Sequence, residues 1–120
     1  MTYDEMHNIL MSIDDPVLKL ETVMDFGSHL SDVPVTAICS EIHGCASHVE
    51  ICRDGTHFYG RADSALVRGI VAIVIAMVDG KTPAEIRSMG IIQRFAALNI
   101  NLGAGRINGL NSIVRFLENL

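Results

Sequence analysis

The stretch VTAICSEIHGCASHVEIC, residues 35–52, decides the fold, because it has the pattern of two strands joined by a short connection. Both halves are rich in β-branched and small residues, which favour extended backbone. Gly44 lies between them, and glycine adopts the backbone angles that a chain reversal requires. We therefore predict strands over residues 35–42 and 48–52, with Cys45 at the turn between them. A thiol held in such a turn can be presented to a partner instead of being packed in the core.

The sequence on either side of this hairpin predicts one more strand and then helices. Asp54-Gly55 is typical of a tight two-residue turn, so His57-Phe58-Tyr59 is predicted as a third antiparallel strand. Apolar residues at helical spacing predict helices over residues 3–12, 16–30, 64–78, 83–88, 91–98 and 107–117. The fold prediction is α+β: a three-stranded antiparallel sheet packed against helices from both termini, in a single domain over residues 1–120.

Start signals and glycines refine the helix predictions. Asp15-Pro16 is typical of a helix N-terminus, with the aspartate as cap. Gly27 is expected to let its helix approach a neighbour closely. Asp63 is predicted as the cap of the helix over residues 64–78, and the almost uniform apolar character of that helix predicts a central, buried position. The segment Thr82-Pro83-Ala84-Glu85 has the pattern of a capping box.

Charge and hydrophobicity exclude several classes of function. Nine basic and fourteen acidic side chains give a formal net charge of -5, which disfavours nucleic acid or an anionic membrane as the main partner. The most apolar run, Ile70 to Val78, is too short to cross a bilayer. Residues 1–5 lack the basic and apolar regions of a secretory signal. We therefore expect a cytoplasmic protein.

The three cysteines, Cys39, Cys45 and Cys52, are an odd number, and we expect no disulfide framework in a reducing compartment. Cys39 and Cys52 lie inside predicted strands and are expected to be small packed residues. Cys45 follows a glycine at a turn and is expected to be the reactive thiol. The alternative is that Cys45 is buried and inert, in a protein that serves as a structural or interaction module.

A metal site is a second alternative for the same region. Its candidate ligands are Cys39, His43, Cys45, His48 and Cys52. Cysteine and histidine are the usual ligands of zinc, but this spacing is not a usual one, and alternation along the strands sends several of the side chains to different faces. His43 or His48 would otherwise take the thiol proton, stabilise the thiolate or face solvent.

Four segments of the chain occur together in the order known from one protein family. They are DFGSHL at residues 25–30, GCASHV at 44–49, DSALVRG at 63–69 and RINGL at 106–110. The second is similar to the family's cysteine loop, and the third and fourth resemble the starts of its central and C-terminal helices. The set resembles the SufE-type sulfur-acceptor proteins of iron–sulfur cluster assembly.

The resemblance implies a function for Cys45: it takes persulfide sulfur from a cysteine desulfurase, stimulates that enzyme and passes the sulfur on for cluster assembly. It also implies supporting positions near the cysteine loop: Gly44, Ser47, Asp63 and Arg106. His43 and His48 are further candidates from histidine chemistry alone, because the family does not require histidine at either position. Arg106 would lower the pKa of the thiol if its guanidinium reaches the loop. Asp63 has a plainer alternative role as a helix cap.

The resemblance also implies which partners to expect. These are the cysteine desulfurase, which carries the pyridoxal phosphate, and a downstream cluster-assembly scaffold. No cofactor, nucleic acid or membrane is expected for this chain, which would be a monomer or a weak homodimer and would turn over nothing on its own. The competing class is a scaffold that binds zinc or an iron–sulfur cluster, because related scaffold proteins share this architecture and fold alone does not separate the two.

Overall fold

The computed structural model describes residues 1–120 and contains six helices and three strands. In chain order these are α1 (Tyr3–Met11), α2 (Pro16–Gly27), β1 (Ile38–Glu41), β2 (Val49–Asp54), β3 (His57–Ala62), α3 (Ala65–Val78), α4 (Pro83–Ser88), α5 (Ile91–Ala96) and α6 (Ala104–Glu118). This arrangement of two helices, a sheet and four helices confirms the predicted α+β class.

The sheet is antiparallel in the order β1-β2-β3, as the two predicted hairpins require. The second hairpin closes with Asp54 opposite His57, and Gly55 takes a φ of 64° in the two-residue turn between them. The strand predicted over residues 35–42 is shorter in the structure. Residues 34–37 instead form a turn, in which the backbone N–H of Ala37 donates to the carbonyl of Pro34 at 3.1 Å.

Helix α3 is central and mostly buried, as its apolar sequence predicted. One side packs on the sheet, where Val71 faces Gly60 of β3. The opposite side packs on α2, where Gly69 faces the backbone of Val23. Residues two apart on a helix point to nearly opposite faces, so α3 lies between the sheet and α2. No helix in the structure is both long and apolar enough to span a bilayer.

Two glycines set the close crossing of α2 and α3. A Cβ on Gly69 would collide with the carbonyl of Val23, and a Cβ on Gly27 would lie 2.9 Å from Cβ of Arg68. Real Cβ atoms do not come this close to other atoms. Any residue other than glycine at position 27 or 69 would therefore force a helix to move. The prediction that Gly27 permits a close approach is confirmed.

Two of the three predicted helix caps are confirmed. The Asp15 carboxylate accepts from the N–H of Val17 at 2.9 Å, and Thr82 and Glu85 form the reciprocal capping box. The prediction that Asp63 caps α3 is wrong. Ser64 is the cap, and its hydroxyl accepts from the N–H of Val67 at 3.5 Å.

The C-terminal helix begins three residues earlier than predicted. Gly103, with a φ of 79°, is its N-cap, and Ala104 and Gly105 already lie in its first turn. Periodicity missed this turn because it contains small residues and no apolar repeat. Arg106 is therefore a residue of the first turn of α6, and it projects from the element that packs against the cysteine loop.

Candidate functional site

The loop between β1 and β2 carries the candidate nucleophile across the N-terminal half of α6. Its base is closed by the N–H of Ile42, which donates to the carbonyl of Val49 at 2.8 Å. Gly44 has a φ of 93°, in the region that favours glycine, so the reversal before Cys45 depends on this residue. The predicted position of Cys45 between two strands is the position that the structure gives it.

The Cys45 thiol is half-buried and lies against α6. Its Sγ donates to the carbonyl oxygen of Gly109 at 3.6 Å, a weak hydrogen bond that only the protonated thiol forms. Burial raises the pKa of the Cys45 thiol above its ordinary value. Both effects favour the neutral thiol, so the resting site holds a protected nucleophile rather than a free thiolate.

A mainly apolar cavity of about 230 Å³ opens beside the sulfur. Its lining consists of Cys45, Ala46, Ser47, Ser64, Val67, Ile70, Gly105, Arg106, Gly109, Leu110 and Ile113. The loop, the start of α3 and the first half of α6 therefore build it together. The larger depressions elsewhere on the surface contain no cysteine. The cavity is a place where a sulfur atom can be kept away from water.

Two of the predicted supporting residues, Ser47 and Arg106, line this cavity. The Arg106 guanidinium donates to the carbonyl of Leu102 at 3.3 Å and forms no salt bridge. It therefore carries an uncompensated positive charge at the cavity. Asp63 is exposed, and its backbone N–H donates to the carbonyl of His48 at 3.3 Å, which ties the end of the loop to the start of α3.

Neither of the two loop histidines lines the cavity beside Cys45. His43 is exposed. The ring of His48 lies between two carboxylates on the outer face of the sheet: Nδ1 is 3.3 Å from Glu41 and Nε2 is 3.3 Å from Glu50. Both ring nitrogens are thus engaged by acidic groups, so His48 anchors the end of the loop to β1 and β2.

The other two cysteines form a disulfide, so the expectation that no disulfide forms is wrong. Cys39 and Cys52 are direct partners across β1 and β2, with Cα atoms 4.0 Å apart, and their sulfurs are bonded. The hydrogen-bonded pair Ile42–Val49 places this pair at a non-hydrogen-bonded position of the ladder. Side chains approach most closely at such positions, which is what the sequence pattern alone did not show.

This pairing bears on the metal alternative. Two of the five candidate ligands, Cys39 and Cys52, are bonded to each other. Nowhere in the chain do three histidine, cysteine or acidic side chains group closely enough to hold a metal ion. Cys45 remains as the single free cysteine.

Gly109 and Ser112 are site residues to which the sequence analysis gave no role. Gly109 supplies the carbonyl that accepts from the thiol, and Ser112 contacts the loop at Gly44. One signal was present: glycine in a helix interior is unfavourable, so a glycine inside α6 indicates a packing reason. The residue that it packs against follows only from the tertiary structure.

Comparisons with known proteins show the family to which the chain belongs. A family model described as "SufE: Fe-S metabolism associated domain" matches residues 4–120. The chain is 32% identical over 108 residues to an uncharacterized SufE-like protein of Rhizobium meliloti, which covers 80% of this chain and 77% of the relative. It is 31% identical over 104 residues to a protein of Escherichia coli named sulfur acceptor protein CsdE, covering 79% of this chain and 71% of that protein.

A solved structure supports the fold independently of close sequence similarity. It is the solution structure of a hypothetical protein from Thermus thermophilus, with a TM-score of 0.71 over 99% of this chain and 94% of that one. The sequence identity is 12%, so this likeness concerns the fold alone.

Proposed function

Because the chain belongs to the SufE family, we propose that it accepts sulfur on Cys45 from the persulfide of a cysteine desulfurase and passes it on for iron–sulfur cluster assembly. The Escherichia coli relative named as a sulfur acceptor supports this function. One observation carries the assignment to Cys45: it is the only free cysteine, and it lies half-buried on a loop beside an apolar cavity.

The proposed transfer is an exchange at a sulfur–sulfur bond. The Cys45 thiolate attacks the outer sulfur of the desulfurase persulfide, and the bond from that sulfur to the desulfurase cysteine breaks. The desulfurase cysteine leaves as a thiolate and takes up a proton, while Cys45 becomes a persulfide. One sulfur–sulfur bond replaces another, so the step requires no oxidant or reductant.

The resting geometry favours storage over reaction. Burial and the hydrogen bond to Gly109 keep Cys45 protonated, which slows attack and also slows oxidation of the thiol. We propose that docking of the desulfurase draws the loop, residues 43–48, away from α6. Cys45 then loses both its burial and its hydrogen bond to Gly109, so its thiol can ionise when a sulfur donor is present.

The roles of the partners follow from the same proposal. The desulfurase carries the pyridoxal phosphate, and this chain brings only the acceptor thiol and its protecting cavity. The persulfide then moves to a cluster-assembly scaffold by a second exchange of the same kind. Stimulation of the desulfurase follows because removal of its persulfide frees its cysteine for another turnover.

Sulfur loading tests the assignment directly. The purified chain is mixed with a cysteine desulfurase and free cysteine, and its intact mass is measured without reductant. We expect a gain of one sulfur atom and faster alanine release by the desulfurase. Cys45→Ser is expected to lose both effects, whereas Cys39→Ser and Cys52→Ser keep the mass gain. A mass gain that survives in Cys45→Ser contradicts the assignment.

A further inference from the structure

The cysteine loop rests on two residues of α6 that have little or no side chain. The carbonyl of Gly109 accepts the thiol hydrogen of Cys45 at 3.6 Å. A Cβ built on Gly44 would lie 2.5 Å from the hydroxyl of Ser112, so the loop backbone approaches α6 more closely than a larger residue permits. We call Gly109 and Ser112 the α6 seat.

Gly109 faces Cys45 directly across the space between α6 and the loop. A Cβ built there would have its three nearest contacts with Cys45: 3.4 Å to Sγ, and 3.8 Å to both Cα and Cβ. The methyl group of alanine therefore just fits at this position, at the limit of van der Waals contact. Any larger side chain must displace the sulfur or occupy the cavity that the sulfur faces.

Other residues of the cavity serve the core as well as the site. Val67, Ile70, Leu110 and Ile113 belong to the hydrophobic core or pack against it, so changes in them alter stability and the site together. Gly109 is buried without such a role, and glycine in a helix interior is unfavourable compared with alanine. The contact with Cys45 is the structural reason for a residue no larger than alanine here.

We propose that Gly109 is a positioning residue for Cys45: it leaves the space in which the thiol docks and supplies the carbonyl that keeps the docked thiol protonated. The size of residue 109 thus sets the balance between the protected and the released thiol. Ser112 has a secondary part, because it bounds the space under Gly44.

The test is a size series at one position, read out on the thiol itself. Gly109→Leu is compared with Gly109→Ala as the matched control, since both residues are better helix formers than glycine. Alkylation of Cys45 by iodoacetamide is followed without reductant from neutral to alkaline pH, and the modified peptide is identified by mass. Circular dichroism and thermal unfolding establish that each variant is folded.

We expect Gly109→Ala to remain close to the parent protein. Gly109→Leu should lower the apparent pKa of Cys45 toward its ordinary value, and alkylation at neutral pH should then rise about tenfold for each pKa unit regained. A change in stability alone would not move the midpoint of the pH profile, so this readout separates positioning from a structural role.

A folded Gly109→Leu protein with an unchanged alkylation rate and an unchanged midpoint overturns the proposal. If that variant does not fold, Ser112→Leu is used instead. Ser112 is more exposed than Gly109, and its hydroxyl lies close to the loop backbone at Gly44. Faster alkylation of Cys45 in Ser112→Leu supports the seat, and an unchanged rate rejects it. The test involves no desulfurase, so its failure is separate from failure of the sulfur-loading experiment.

Discussion

Opposing requirements meet at the Cys45 sulfur. A sulfur acceptor must attack a persulfide, which requires a thiolate, yet an exposed thiolate is open to oxidation. In the resting structure burial and the Gly109 carbonyl favour the neutral thiol. The only cation among the cavity residues, Arg106, donates a hydrogen bond to the carbonyl of Leu102. Protection dominates the resting site, and reaction requires a change in the environment of the sulfur.

His48 provides a prediction on pH dependence. The carboxylate of Glu50 raises the pKa of His48 above its ordinary value, with Glu41 acting in the same direction, while Arg61 shares the Glu50 carboxylate at 3.7 Å. A raised pKa in the folded state means that charged His48 stabilises the fold below the pKa of the unfolded chain. That stabilisation is lost as the pH rises through the folded-state pKa.

We therefore expect the His48 ring resonances, followed by NMR, to titrate above the ordinary midpoint for histidine. Glu50→Gln should lower that midpoint, because the largest cause of the shift is removed. Glu85→Gln changes a carboxylate in α4 that only caps its own helix, and it should leave His48 unaffected. A His48 midpoint that is the same in the parent and Glu50→Gln would refute this account of the loop anchor.

At the level of elements, the packing of α2 on α3 depends on Gly69. Adding a Cβ there creates an overlap with the carbonyl of Val23, a backbone atom that cannot turn aside. We expect Gly69→Ala to lower the free energy of unfolding by about 1–3 kcal/mol, despite the better helix propensity of alanine. Denaturation by urea measures the change.

Gly105→Ala is the matched control for this prediction. Gly105 is also helical, but a Cβ there meets nothing within 4 Å. Alanine should therefore be neutral or stabilise α6 by at most about 1 kcal/mol. Equal effects of the two substitutions would show that helix propensity, and not the crossing of α2 and α3, sets the role of Gly69.

The loop of the first hairpin carries the reactive thiol, and its two strands carry the contacts that hold the hairpin together. Its turn carries Cys45 toward α6, while its outer face carries the disulfide between Cys39 and Cys52 and the carboxylates that hold His48. The proposed movement of the loop involves only residues 43–48, so the paired strands on either side would stay in place. This arrangement suits the proposed movement of Cys45 from the cavity to a sulfur donor.

At the scale of the whole molecule, the disulfide acts mainly through the unfolded chain. It joins residues 13 apart in sequence, so the loop it closes in the unfolded state is short. For a loop of this size the chain-entropy model gives a stabilisation of about 3 kcal/mol, and reduction should lower the free energy of unfolding by no more than about this amount. Denaturation with and without a reductant measures it.

Cys39→Ser serves as the control, since its stability should not respond to the reductant. Thiol titration of the denatured protein without reductant should find one free thiol in the parent, in agreement with a single free cysteine. Three free thiols in that titration would show that the disulfide does not form in the isolated protein.

Much of this protein was determined by its sequence through rules that act over a few residues. The caps at Asp15 and Thr82, the apolar run of α3, the two-residue turn at Gly55 and the place of Cys45 between two strands all follow from local preferences. The same local rules set the start of β1 and the cap of α3 wrongly, because a turn at residues 34–37 and the hydroxyl of Ser64 competed with them.

Only the tertiary structure decided how the site works. The bond between Cys39 and Cys52 depends on strand register, and the protection of Cys45 depends on Gly109, 64 residues further along the chain. Local preferences identify neither the cysteine that bonds to Cys39 nor the residue that lies against Cys45. These contacts depend on how α3, α6 and the sheet pack together. The sequence thus determined which residue carries the thiol, and packing decided that this thiol rests protonated against a helix with no side chain to exclude it.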